Sequence, residues 1–198
     1  MYSNTEYKKL ISKYGAFASW AIWDYKKPFD TGIIDKNYDQ LHSKYVLLGL
    51  NFSHKLTGNN WQNFHDNTHA RKIKYACNAT KLRGSYITDI FKGIPEAKSS
   101  NLKNKLTKET INANVNYFIK EMKDIKLSNK SQFIVFGTPS SFLAKSFNTY
   151  FRPHFKNNVL CYYHYAYYSL TDKNWVRGFW KRLSINKDVD LAINKYKA

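Results

Sequence analysis

Apolar residues in this chain fall into two kinds of run, and the alternation between them predicts its elements. One short continuous run is Tyr45-Val46-Leu47-Leu48, and short strand-like runs rich in apolar residues occur at 85–88, 132–136 and 158–163. Runs of this length between turn signals predict strands buried on both faces, as in a parallel sheet. Helical patterns lie around them. Residues 6–13 and the run 16–23, with Trp20, Ile22 and Trp23, predict two helices that end before Pro28. Asp66 or Asn67 can cap a helix running to about Cys77. Thr107 can cap a long helix in which Ile111, Val115, Phe118, Met122 and Ile125 recur at spacings of three and four, an apolar stripe for a core. Thr138 and Pro139 supply a cap and a first-turn proline after the run 132–136, and two helices near 174–183 and 189–196 close the chain. Strands alternating with helices predict an α/β protein: a three-layer α/β/α sandwich around a central, mainly parallel four-stranded sheet, in one domain over residues 1–198.

Composition narrows the classes. No apolar stretch approaches the roughly 20 residues that span a membrane, and the start of the chain leads into no signal-type apolar core, so a cytoplasmic protein with no membrane partner is expected. The two cysteines, Cys77 and Cys161, make neither a zinc knuckle nor an iron–sulfur site and are expected as free buried thiols. The 32 Lys and Arg against 14 Asp and Glu leave +18, spread among 16 Tyr, 13 Phe and 5 Trp. Basic charge interleaved with aromatics suits phosphate contact and base stacking, although a lysine- and asparagine-rich composition also follows from an AT-rich genome. Gly84, Gly93 and Gly137 form no phosphate-binding signature, and no Gly-x-Ser-x-Gly turn occurs. His65 and His69 stand four apart with no third ligand evident, so no metal and no cofactor are expected.

Three polar segments each follow a strand-like run: Gly49-Leu50-Asn51-Phe52-Ser53, Thr88-Asp89, and His164-Tyr165-Ala166-Tyr167-Tyr168-Ser169. In an open α/β sheet the loops after the strand ends converge on one crevice, so the three can assemble into one site. The first and third, in this order and strand context, resemble the two motifs of the uracil-DNA glycosylase superfamily. There they read roughly Gly-x-Asp/Asn-Pro-x and His-Pro-Ser-Pro-Leu-Ser, and both lack their prolines here. The resemblance covers about residues 45–183 and implies a small α/β/α sandwich that flips a base out of DNA and cuts its N-glycosidic bond.

Carried onto these positions, the resemblance implies that Asn51 positions the attacking water. An amide takes no proton, so Asn51 would orient water toward an already developing oxocarbenium ion. Phe64, at the family spacing from Asn51, would stack on the flipped base, with Trp61 as a competitor. His164 would hydrogen-bond O2 of the departing base, and Tyr168, next to Tyr167, falls where a leucine fills the vacated gap. Phe52 and Ser53 belong to the base pocket, and Ser53 stands where strict uracil enzymes carry a bulky Tyr against ring carbon five, leaving room for a substituent there.

Asp89 departs most from the family. Uracil enzymes carry an Asn at the comparable position, whereas an ionised Asp accepts only and would repel O4 of uracil. A protonated Asp89 could accept from the amino group of cytosine and donate to its N3, and burial could keep it protonated. The alternative at Asp89 is a loop cap or a pairing with Lys92. Arg71 and Lys72, with Lys74, Lys81 and Arg83, are candidates for phosphate contact or for a solvated helix face. The expected function is a monomeric, monofunctional DNA glycosylase acting on a 5-substituted cytosine in phage DNA, as in the antiviral branch that excises glucosylated hydroxymethylcytosine. Uracil or mismatched-thymine repair, and a non-catalytic nucleic-acid-binding module of the same fold, are the alternatives.

Overall fold

The computed structural model describes residues 2–52, 58, 60–65 and 70–196. Among these residues there are five strands, β1 (Ser19–Trp20), β2 (His42–Gly49), β3 (Ser85–Asp89), β4 (Gln132–Phe136) and β5 (Asn158–Tyr162), in the spatial order β1-β3-β2-β4-β5. All neighbours are parallel except β1, which pairs antiparallel with β3. The α-helices are α1 (Asn4–Tyr14), α2 (Gly32–Lys36), α3 (Arg71–Asn78), α4 (Ser99–Lys105), α5 (Lys108–Asp124), α6 (Phe142–Ser146), α7 (Asp172–Arg182) and α8 (Val189–Asn194).

The period-two geometry of the strands divides the core. Val46 and Leu48 of β2, Tyr86 of β3, and Phe133 and Val135 of β4 point to one face, against Leu10 of α1, Phe118 and Met122 of α5, and Leu143 of α6. Leu47, Ile87, Ile134 and Phe136 point to the other, against Ile73 and Cys77 of α3, Val176, Phe179 and Trp180 of α7, and Ala192 of α8. Both faces of the parallel strands are therefore covered, which is the condition for a parallel sheet in water. The stripe on α5 is core as expected, and its cap is made by Thr107, whose side chain accepts from the Thr110 N–H at 3.2 Å.

Two elements correct the sequence expectation. The run 16–23 is not a helix: it contains β1, which adds a fifth strand to the expected four. Trp20 and Ile22 enter one core cluster while Ala21 and Trp23 enter the other, an alternation that a continuous apolar run conceals. Thr138 and Pro139 do not open a helix. Ser141 caps α6, accepting from the Ala144 N–H at 3.2 Å, and the residues before it form a turn.

β2 lies between β3 and β4. The chain leaves β2, passes through α3 on one face to β3, then crosses back through α5 on the opposite face to β4. The order of strands reverses at β2, so the loops beyond the carboxyl ends of β2 and β4 diverge and leave a crevice. Among the described residues, no helix is long and apolar enough to cross a membrane.

Candidate functional site

A cavity of about 680 Å³ occupies that crevice, and Asn51, Phe52, Phe64, Asp89, His164 and Tyr167 all line it. Residues separated by more than a hundred positions are thus brought together because each follows, or is held beside, a strand end. Ser53 lies outside the described residues, as do His69 and the proposed helix caps Asp66 and Asn67.

The floor is made by β2, β3 and the segment 61–65. Asp89, the last residue of β3, is 2% exposed. Its Oδ2 accepts from Asn63 Nδ2 at 2.9 Å, and Asn63 gives its other amide proton to the Phe17 carbonyl at 2.8 Å. Burial pushes the Asp89 carboxyl up to about 7, against the lowering effects of the Asn63 hydrogen bond and the charge of Lys92. Lys92 does not pair with this carboxylate. Its ammonium forms an ion pair with Glu121 Oε2 at 2.7 Å and donates to the Asp89 backbone carbonyl at 2.5 Å.

Gly49 opposes Asp89 in the β2–β3 register, and the reason it is glycine is close approach. A Cβ there would collide with Asp89 Oδ1 and stand 3.0 Å from Phe64 Cζ. Phe64 and Trp61 both adopt left-handed backbone, with φ of 65° and 66°. For a non-glycine residue this conformation costs about 1–2 kcal/mol and persists only where surroundings impose it. Their side chains part company. Trp61 is buried in the core beside Tyr7, to whose hydroxyl its indole donates at 3.0 Å, whereas Phe64 reaches the cavity. The aromatic wall continues from Phe64 to Tyr165, at 6.1 Å between centroids, and from Tyr165 to Phe136 at 5.4 Å.

Asn51 is half-buried just beyond β2. Its Nδ2 lies 3.0, 2.9 and 2.9 Å from the carbonyl oxygens of Phe52, Ile94 and Glu96. Three carbonyl partners identify that atom as the nitrogen and leave Oδ1 as the acceptor end. The same contacts tie the segment 94–96 to the end of β2.

The opposite wall is the loop after β5. His164 Nδ1 accepts from the Ala166 N–H at 3.1 Å, so the neutral imidazole carries its proton on Nε2. The ring stacks on Tyr165 at 4.2 Å. Trp175 of α7 donates its indole N–H toward the carbonyls of Tyr163 and His164, at 3.1 and 3.2 Å. Tyr163 stacks on Tyr167 at 5.2 Å, and Tyr168 stands 93% exposed beside them.

Lys72 corrects the expectation of a phosphate contact. It is 5% exposed, and its ammonium donates to the carbonyls of Tyr167 and Leu170 at 2.7 and 2.8 Å, fastening the loop to α3. Arg71 is exposed and pairs with Asp172 at 2.8 Å. Lys81 donates to the Leu183 carbonyl at 2.9 Å, Lys74 lies over the ring of Tyr196 at 4.6 Å, and Arg83 is bonded to Asn78. His65 is buried and stacked on Trp23, and desolvation holds its imidazole down to about 4. Cys77 and Cys161 are free, the first buried and the second half-buried.

Among the residues of the site, Asn63, the ring of Tyr165, and Gly49 as a steric requirement were given no role from the sequence. Asn63 and Tyr165 adjoin the expected Phe64 and His164, so adjacency was their only signal. Gly49 was legible only as the first letter of a motif.

Comparison of the chain with protein-family models, with curated proteins and with solved structures finds no match.

Proposed function

We propose that the chain is a monofunctional DNA glycosylase of the uracil-DNA glycosylase kind, acting on a 5-substituted cytosine in foreign DNA as antiviral defence. The observation that carries this reading is the buried Asp89 carboxyl on the cavity floor beside Phe64, whose burial raises its pKa and so favours the protonated form. Asn63 donates to Oδ2, so a carboxyl proton belongs on Oδ1. A carboxyl in that state donates from Oδ1 to N3 of cytosine and accepts from the amino group at Oδ2, whereas uracil presents an N–H at ring position three and a carbonyl beside it. Phe64 supplies a ring for the extruded base to stack on, and a flipped nucleotide fits a pocket of this kind.

In the reaction, water held by Asn51 Oδ1 bonds through its oxygen to C1′ as the C1′–N1 bond breaks. The bonding electron pair leaves with the base, charge develops on its O2, and His164 Nε2–H stabilises it there. The proton released by the water ends on the departing base, and an abasic sugar remains. Tyr168 and Tyr167 are exposed where an aromatic wedge would replace the missing base in the stack.

The anchoring of Asn51 to three carbonyls favours one second reading, a nucleic-acid-binding module in which this residue is a loop tie rather than a water holder. Mass spectrometry of bases released from DNAs containing uracil, cytosine, 5-hydroxymethylcytosine or its glucosylated form separates the readings. Release of a modified cytosine with uracil untouched is the expected result. Release of uracil assigns the protein to repair, and no release together with salt-sensitive DNA retention assigns it to the binding module.

A further inference from the structure

Directly beneath the site floor is a charged cluster that the proposed reaction does not use. Glu121 of α5 is completely buried, and its carboxylate is hydrogen-bonded at Oε1 while Oε2 has no hydrogen-bond partner and is met by charge alone. Its Oε1 accepts from the Tyr86 hydroxyl and from Thr88 Oγ1, both at 2.8 Å and both on β3. Its Oε2 lies 2.7 Å from Lys92 Nζ, with side-chain exposures of 0% and 9% for the two partners. Lys92 in turn donates at 2.5 Å to the carbonyl of Asp89, and its own N–H donates to Asn114 Oδ1 at 2.6 Å. One carboxylate therefore grips β3 at two side chains and, through the lysine, holds the backbone of the residue that faces the cavity.

An apolar replacement of such a pair is often as stable as the pair itself, so stability alone does not account for a charge placed here. Its position suggests another use. An ammonium alone under Asp89 would favour the ionised carboxylate, which cannot donate, and a carboxylate alone would add repulsion. Together they form a neutral clamp. We propose that Lys92 and Glu121 are a pair of positioning residues that fix Asp89 at the end of β3 while Glu121 offsets the field of Lys92 at its carboxyl, so that Asp89 can both donate and accept. Its use in reading a base edge rests on the glycosylase reading above.

Other titratable groups also face Asp89 or its clamp: Tyr86 donates to Glu121, Tyr117 presents its ring 5.6 Å from the Lys92 ammonium, His164 and Tyr165 line the cavity with Asp89, and Glu96, on the same cavity, is paired with Lys105 at 2.7 Å. Asn51 and Asn63 carry no charge. Lys92 and Glu121 are the two charges among the described residues that act on the ionisation of Asp89.

The test follows the Asp89 carboxyl-carbon resonance of carbon-13-labelled full-length protein against pH, without DNA. Glu121→Gln strands the lysine charge, and the ionisation midpoint of Asp89 is expected to fall by about half a unit, roughly a threefold change in its protonation equilibrium. An unmoved midpoint in the folded variant overturns the proposal. Should Glu121→Gln fail to fold, Lys92→Gln carries the test with the opposite sign: removing the ammonium is expected to raise the midpoint by about one unit, roughly tenfold, and no rise overturns the proposal. Because this readout needs no substrate, a shifted midpoint in a protein that releases no base upholds the clamp while refuting the glycosylase reading. Base release by the wild type with an unmoved midpoint does the reverse.

Discussion

The floor and the rim of the cavity are built in opposite ways. The floor hangs on the ends of two central strands, where Asp89 is buried, hydrogen-bonded by Asn63 and packed against a glycine that leaves no room for a side chain. The rim is a loop after β5 whose carbonyls are held from behind by Lys72 and Trp175, while Tyr163 and Tyr167 border the cavity half-exposed and Tyr168 faces outward. Fixing a loop by its backbone leaves its side chains available to a partner. Fixing a carboxyl by burial makes its protonation depend on the fold. Selectivity is therefore expected to reside in the floor and affinity in the rim, and substitutions in the two should differ in kind.

The largest effect is expected at Asp89. Burial raises its carboxyl to about 7, well above the unfolded value of about 3.9, so the folded protein binds this proton more tightly. The stability it contributes is complete below about pH 4 and is lost as pH rises through 7. Asp89→Asn abolishes that loss. In urea unfolding the variant should match the wild type near pH 4 and exceed it at pH 8 by up to about 4 kcal/mol. Its base preference should move toward uracil, whose edge an amide complements. An unchanged preference would refute the role given to the floor.

A smaller loss is expected for Gly49→Ala, because the new Cβ must displace Asp89 or Phe64. Overpacking of this kind costs about 1–3 kcal/mol, measurable by the same unfolding titration, and base release should fall with it. At the rim, Tyr168→Ala should leave stability within about 0.5 kcal/mol of wild type, since the ring is 93% exposed. DNA affinity, read by fluorescence anisotropy, should drop by about 1–3 kcal/mol if the ring stacks on a base. A tyrosine whose removal alters unfolding but not binding would erase the contrast between floor and rim.

Much of the fold was legible because buried parallel strands announce themselves as continuous apolar runs, as residues 45–48 and 132–136 do. The same signal misled at residues 16–23. A run buried on both sides has no visible period, and only the split of Trp20 and Ala21 between two core clusters marks it as a strand. In the site, residues standing at strand ends were legible: Asn51, Asp89 and His164 all border the cavity. Lys72 was misread because a lysine on a polar helix is ordinarily solvated, and its acceptors lie 95 and 98 residues away.

The sequence by itself determined the alternation of strands and helices, the apolar stripe of α5, and the polar residues that follow each strand. These depend on local spacing, which one chain displays in full. Tertiary structure alone decided which ammonium groups are structural, which aromatic ring faces the cavity and which the core, and that Asp89 lies deep enough for burial to raise its carboxyl pKa well above the ordinary range. Each of those follows from desolvation and from partners far away in the chain. Neither can be read from neighbours in sequence, because both come into being only when the sheet closes under its two helical layers.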